Sequence, residues 1–168
     1  MVDSTNIWNK FGIDKLGRNK FYKNKKSIKI SLMTDINGIP LSIFFMSGNR
    51  HDNTTFKNHI DDVINKFPIG NYNVMADKAY SCLKNYNYLD IHKFTHIIPP
   101  RKNMKICATY KYDKCVYKKR IKIEHIFSRL KMFRRITLRY DKYIKNFSGF
   151  VYLAFSIIGS RIIKKIEI

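Results

Sequence analysis

Tyr117-Lys-Lys-Arg-Ile-Lys-Ile-Glu-His-Ile-Phe-Ser-Arg-Leu-Lys-Met-Phe-Arg-Arg-Ile-Thr-Leu-Arg-Tyr-Asp141 carries two periodic signals at once. Ile123, Ile126, Phe127, Leu130 and Phe133 recur at helical spacing, which predicts a helix over about 116–134 with one face towards a core. A second stripe is polar: at 100° per residue Tyr117, Arg120, Glu124 and Lys131 fall within about 60° of arc. One face thus presents a lone carboxylate flanked by two cations and a phenol. The plain reading is a solvated face with an i,i+4 Arg-Glu pair worth tenths of a kcal/mol. The functional reading is a metal-binding Glu in a site otherwise built to hold phosphates.

Upstream, Ser27 to Thr34 alternates at period two, as a half-buried strand does, and Asp35-Ile36-Asn37-Gly38 carries the Asn-Gly hairpin signal. The return strand is Ile39 to Met46. A loop over 47–53, a helix over 54–65, a short strand Tyr72 to Ala76 ending at Asp77, a helix over 81–92 and a strand over 95–98 follow. Residues 101–116 form a basic loop, and an apolar helix covers 147–164. Residues 5–26 are polar and basic and predict a loop or ragged turns. Hairpin, helix, strand, helix, strand and two helices make an α/β sandwich. No internal repeat or linker divides the chain, so one domain is expected over 1–168.

The composition narrows the partner. Lys and Arg number 33 against 12 Asp and Glu, a formal charge of +21, with 45% hydrophobic residues. That combination describes a folded protein for a polyanion, with nucleic acid ahead of an anionic membrane. Cys82, Cys107 and Cys115 are too scattered for a disulfide framework and fit reduced thiols. A zinc site from Cys107, Cys115, His92 and His96 lacks any close CxxC pair. No signal peptide opens the chain, and Ser, Gly and Arg interrupt the apolar stretch 147–163, which reads as a buried helix; the location expected is intracellular, with DNA and without a membrane.

Tyr117, Arg120, Glu124 and Lys131, separated by two, three and six residues, resemble the Tyr-(2)-Arg-(3)-Glu-(6)-Lys signature of insertion-sequence transposases of the "IS-four" superfamily. The continuation through Thr137-Leu-Arg-Tyr-Asp141 resembles its "IS-five" branch. Val2-Asp3-Ser4-Thr5, Asn37-Gly38-Ile39-Pro40-Leu41, Gly48-Asn49-Arg50-His51-Asp52 and Ala76-Asp77-Lys78-Ala79-Tyr80 are similar to further elements of that family. The resemblance implies an RNase H-like mixed sheet flanked by helices and a DDE transposase with Asp3, Asp77 and Glu124 as catalytic and metal-holding acids. It implies two magnesium or manganese ions, about 3.5–4 Å apart in such sites, which activate the nucleophile and stabilise the leaving oxygen. Tyr117, Arg120, Lys131, Arg134, Arg135 and Arg139 would contact DNA, with His51 and Asp52 near the site. Arg120 and Lys131 would also keep Glu124 ionised. Asp35 is a rival first acid, but it sits where turns use Asp anyway. Asp61 and Asp62 read as surface, without basic neighbours.

The chain departs from the family at its start. Asp3 is two residues from Met1, so the first strand is expected to be largely missing, with no helical DNA-recognition domain ahead of it. An upstream reading-frame product could supply that part. Expected partners are otherwise DNA, as transposon ends and target, and a second copy in a synaptic complex. Two alternatives stand beside cleavage and strand transfer. One is a nuclease of the same fold that only hydrolyses DNA; the other is an inactive or domesticated remnant acting as a basic DNA-binding protein.

Overall fold

The computed structural model describes residues 1–20, 24–68, 70–101 and 112–167. The first strand is not missing: β1 (Val2–Asn9) is eight residues long and lies in the middle of the sheet. It runs antiparallel to β3 (Lys25–Thr34), from Val2 opposite Met33 to Trp8 opposite Ser27. This corrects the loop expected from residue 5 onward. The strand was hidden because its middle carries Asp3, Ser4, Thr5 and Asn6, all half-buried, so polarity does not alternate along it.

On its other edge β3 pairs antiparallel with the short β2 (Gly17–Asn19) and then with β4 (Pro40–Ser47). The turn between β3 and β4 is longer than a two-residue Asn-Gly hairpin. Asp35 Oδ1 accepts from the Asn37 and Ile39 amides, and the register shifts between Met33 and Thr34. Asp35 is therefore a turn residue.

A second pair, β5 (Asn73–Met75) and β6 (Thr95–Ile97), is parallel. A parallel bridge from Val2 to Ala76 joins it to β1. Across the sheet the strands thus run β4-β3-β1-β5-β6, the last two parallel to β1. Further along the same edge of β1, Trp8 and Asn9 pair with the two-residue β7 (Leu138–Arg139).

Each face of the sheet has its own core. Ile7, Ile28, Ile30 and Leu32 face one way, against Ile123, Ile126, Phe127 and Leu130 of α4 (Ile121–Lys131) and Phe147, Val151, Phe155 and Ile158 of α6 (Ile144–Ile166). Val2 and Met33 face the other way, with Phe56, Ile60 and Val63 of α1 (Phe56–Lys66) and Leu89 of α2 (Leu83–Ile91). Full burial of such a side chain stabilises by about 1.5–3 kcal/mol, so the apolar stripe read from the sequence is what clamps α4 to the sheet. α6 is long and apolar enough to cross a membrane by length and composition; its inner face is packed in this core.

The helix expected over 116–134 is broken in two places. α3 (Lys114–Lys118) starts where Asp113 Oδ1 accepts from the Cys115 and Val116 amides, and a turn at Lys119 and Arg120 separates it from α4. Phe133 is extended and ends the run before the single turn α5 (Arg134–Thr137). Asp62 has a basic neighbour after all, Lys66 at 2.9 Å, and Asp61 accepts from the Tyr88 hydroxyl.

Candidate active site

Asp3 and Asp77 are brought together by strand pairing. Val2 bridges Ala76 in parallel, so the next residue of each segment is a carboxylate at the same level of the sheet. Side chains alternate along a strand, and Asp3 shares the face of Leu32, its partner on β3, which is the face covered by α4. Asp77 ends the β5 segment and caps the following turn, its Oδ1 accepting from the Ala79 amide at 2.6 Å. It is thus a capping residue and a site residue together; capping engages one of its two oxygens.

Arg120 ties the third acid in. Its Nη1 donates to Asp3 Oδ2 at 2.8 Å and its Nη2 to Glu124 Oε1 at 2.5 Å. The turn between α3 and α4 is what frees Arg120 to reach β1 while Glu124, one turn on, stays on the same side. Arg120 and Asp3 are largely enclosed, at 17% and 21% side-chain exposure, whereas Glu124 is 51% exposed. Burial raises the pKa of Asp3; the Ser4 amide and Arg120 pull it down, and the neighbouring charge of Asp77 adds to the rise. Two carboxylates side by side resist joint ionisation, the usual condition of acids that share a cation.

The surroundings are aromatic and basic. The Tyr117 ring lies 5.9 Å from the Arg120 guanidinium and packs edge-on to Tyr112 at 5.5 Å. Lys131 sits at the exposed end of α4, and partial burial lowers its pKa. Behind the acids, Tyr80 is buried against Phe56. Its hydroxyl lies near Ser4 without a well-formed hydrogen bond, and burial, then the charges of Asp3, Asp52 and Asp77, push its pKa well up. Ser4 Oγ instead donates to Asp52 at 2.6 Å, and Lys29 Nζ donates to the same carboxylate at 2.5 Å. Asp52 is therefore one residue away from Asp3, on the opposite face of β1. His51 is exposed and uses Nδ1 to accept the Asn53 amide.

The donor set is chemically suited to a hard divalent cation, because it consists of carboxylate oxygens. The buried Tyr80 hydroxyl, surrounded by acids and lacking a well-formed hydrogen bond, suits the hydration shell of such an ion. As the side chains stand, no three His, Cys, Asp or Glu among the described residues converge as ligands, since the Arg120 guanidinium fills the gap between Asp3 and Glu124. The zinc set does not form among the described residues: Cys107 lies outside them, Cys115 is exposed on α3, His96 meets Asp90 and His92 packs on Tyr88.

The arginines expected to bind DNA divide. Arg134 is exposed at the start of α5. Arg135 lies over the Phe150 ring at 3.6 Å and pairs with Asp141 at 2.7 Å. Arg139 does not face solvent at all and is corrected to a structural residue. It is fully buried, and its guanidinium donates to the Asp14 carboxylate and to the carbonyls of Asp14, Asp141 and Lys142. Sequence reasoning passed over Ser4, Lys29 and Tyr80. The signal for Tyr80 was its place in the Asp77-Lys-Ala-Tyr80 element; Lys29, inside an alternating strand, gave none.

Over residues 1–158 the sequence matches the family described as the transposase DDE domain. No curated protein and no solved structure matches the chain. The matched span runs from β1 into α6 and includes Asp3, Asp77, Arg120 and Glu124. The chain belongs to the transposase DDE domain family.

Proposed function

We propose that this chain is an RNase H-like catalytic domain of the "IS-four"/"IS-five" transposase superfamily, which cuts DNA at transposon ends and joins the freed end to a target. The observation that supports the reading is that strand pairing sets Asp3 level with Asp77, while Arg120 joins Asp3 to Glu124 from a distant part of the sequence. The strand order β4-β3-β1-β5-β6 supports the fold assignment, with three antiparallel strands and two parallel additions beside the acid-bearing β1.

Asp3, Asp77 and Glu124 would hold magnesium or manganese, which when bound supplies an activated nucleophile and charge neutralisation at the leaving oxygen. The chain's own residues do the rest. Arg120 keeps the acids together before substrate arrives, and its planar fork can turn to a phosphate, for which guanidinium geometry is well matched. Lys131 adds a second cation on the same face, and Tyr117 offers a ring on which an unpaired base can stack. Tyr80 is buried behind the acids and closes the floor there. Strand transfer moves one phosphodiester bond to a new 3′-hydroxyl, so two DNA segments must meet here, in keeping with a second copy of the chain in a synaptic complex.

The test is Asp77→Asn. Cutting of end-bearing DNA in magnesium or manganese should be abolished, while DNA affinity holds or rises because a negative charge near phosphate is removed. Gel resolution of cut and joined products separates transposition from plain hydrolysis. Undiminished cutting by the variant would refute the assignment.

A further inference from the structure

On the opposite face of β1 from Arg120 lies a cavity of roughly 600 Å³. Its walls include Asn6, Arg18, Lys20, Lys29, Arg50 and Asp52. The single acid is already neutralised: Asp52 accepts from Lys29 and from Ser4. Lys29 is itself buried, at 8% side-chain exposure, and also donates to the Arg50 carbonyl at 2.7 Å, so it fixes the loop that carries Arg50. Arg18, Lys20 and Arg50 remain as exposed cations around the cavity. The Asn6 side-chain oxygen in its wall is buried without a hydrogen-bond partner.

The cavity is held open by two close backbone approaches. A side chain at Gly17 would collide with Asn49, and one at Gly48 would collide with Ser27, so the loop after β4 can lie this close to β2 and to β3 only because both positions are glycine. Asn19 Nδ2 donates to the Gly48 carbonyl at 3.1 Å across the same junction. The other end of the loop is tied to the acids. Ser4 follows Asp3, and Asn53 accepts from Asn85, which also donates to the Tyr80 carbonyl.

We propose that this cavity is a second DNA-backbone site, in which Arg18, Lys20 and Arg50 hold a phosphodiester of the strand that reaches the acids. The inference rests on DNA being the substrate of the acidic cluster. The cations select an anion, and no Phe, Tyr or Trp is among the described residues that line the cavity, where the ring is that of His51. The recognition is of phosphate, independent of sequence. Position favours a DNA chain over a free phosphate, because Asp52 in the cavity wall accepts from Ser4, the neighbour of Asp3.

The test compares two double variants in EDTA, where no cutting occurs. Arg18→Ala/Arg50→Ala empties the cavity of two exposed cations; Lys145→Ala/Lys164→Ala removes the same charge from the exposed side of α6. Binding of a short fluorescent duplex is titrated from about 50 to 200 mM salt. The cavity variant should lose about tenfold or more in affinity and its salt slope should fall by about two, with a clearly smaller change in the control. Lys20→Glu, at an exposed position, should lower affinity on its own with an unchanged melting temperature. Equal losses in the two double variants would overturn the site. So would loss of inorganic phosphate binding with DNA affinity unchanged, which assigns the cavity to a free anion. Because the readout is affinity without metal, failure of Asp77→Asn to stop cutting would leave this result standing, and the reverse.

Discussion

In residues 117–131, Arg120 lies at the mouth of the acidic cluster with one nitrogen on Asp3 and another on Glu124. In residues 134–141, Arg139 is enclosed, and Asp14 and three backbone carbonyls take up its donors. Both segments read as basic helical text, and neither spacing nor composition separates them. The difference is in what surrounds the guanidinium. A guanidinium has five donors; when it is fully buried and carbonyls and a carboxylate take four of them, it does not reach a phosphate. When only carboxylates touch it, those contacts can be exchanged for a ligand. On the proposed function the first segment is a working surface; the second is a clamp between β7, the loop at Asp14 and the start of α6.

If that division holds, stability and activity should respond to different residues. The largest effect is expected from Arg139→Ala. It leaves Asp14 and several carbonyls without their donor, and loss of one partner of such a pair costs about 3–5 kcal/mol. Asp14 is partly exposed, which favours the lower end of that range. Urea unfolding measures it, and a loss below about 1 kcal/mol would erase the contrast.

Glu124→Gln should do the opposite. The side chain is 51% exposed, so stability should move by no more than about 0.5 kcal/mol. Cutting should fall by at least about a hundredfold, or about 2.7 kcal/mol of barrier. A fall of only two- or threefold would demote Glu124 to a surface ion-pair partner.

The smallest effect sharpens the account of the acids themselves. Burial raises the pKa of Asp3, so the native state keeps this proton to higher pH than the unfolded chain. Stability from Asp3 is thus greatest at low pH and falls as pH rises from the usual carboxylate range through the raised native value. Asp3→Asn, which cannot ionise, should flatten that fall and stabilise the metal-free protein at neutral pH. Melting curves across pH in EDTA report it; destabilisation at neutral pH would mean that Arg120 outweighs the burial.

Much of this molecule was legible before any coordinates. The stripe Ile123, Ile126, Phe127 and Leu130 is the buried face of α4, and Ser27 to Thr34 is a strand, because apolar periodicity records burial directly. Asp77 at the end of an apolar strand was readable for the same reason. What escaped was β1. A strand with core on only part of each face, and polar side chains where the acids and the Lys29 network meet it, has no periodic signature. Arg139 escaped because its partners are backbone carbonyls, which sequence does not display, and the Asp14 carboxylate, 125 residues away in sequence.

The bridge between Asp3 and Glu124 spans 117 residues from Asp3 to the arginine that joins them. Contacts of such separation form late, since closing a long loop must be rewarded by packing that already exists. Here that packing is between α4 and α6, the last helix of the described chain. At about 5–20 residues per second, a ribosome takes roughly 6–24 seconds to travel from the codon of Asp3 to that of Glu124. During that interval the acids lie apart, and the DNA cutting proposed for them has to wait. On the proposed function, assembly from distant segments makes completed folding the switch that arms the protein.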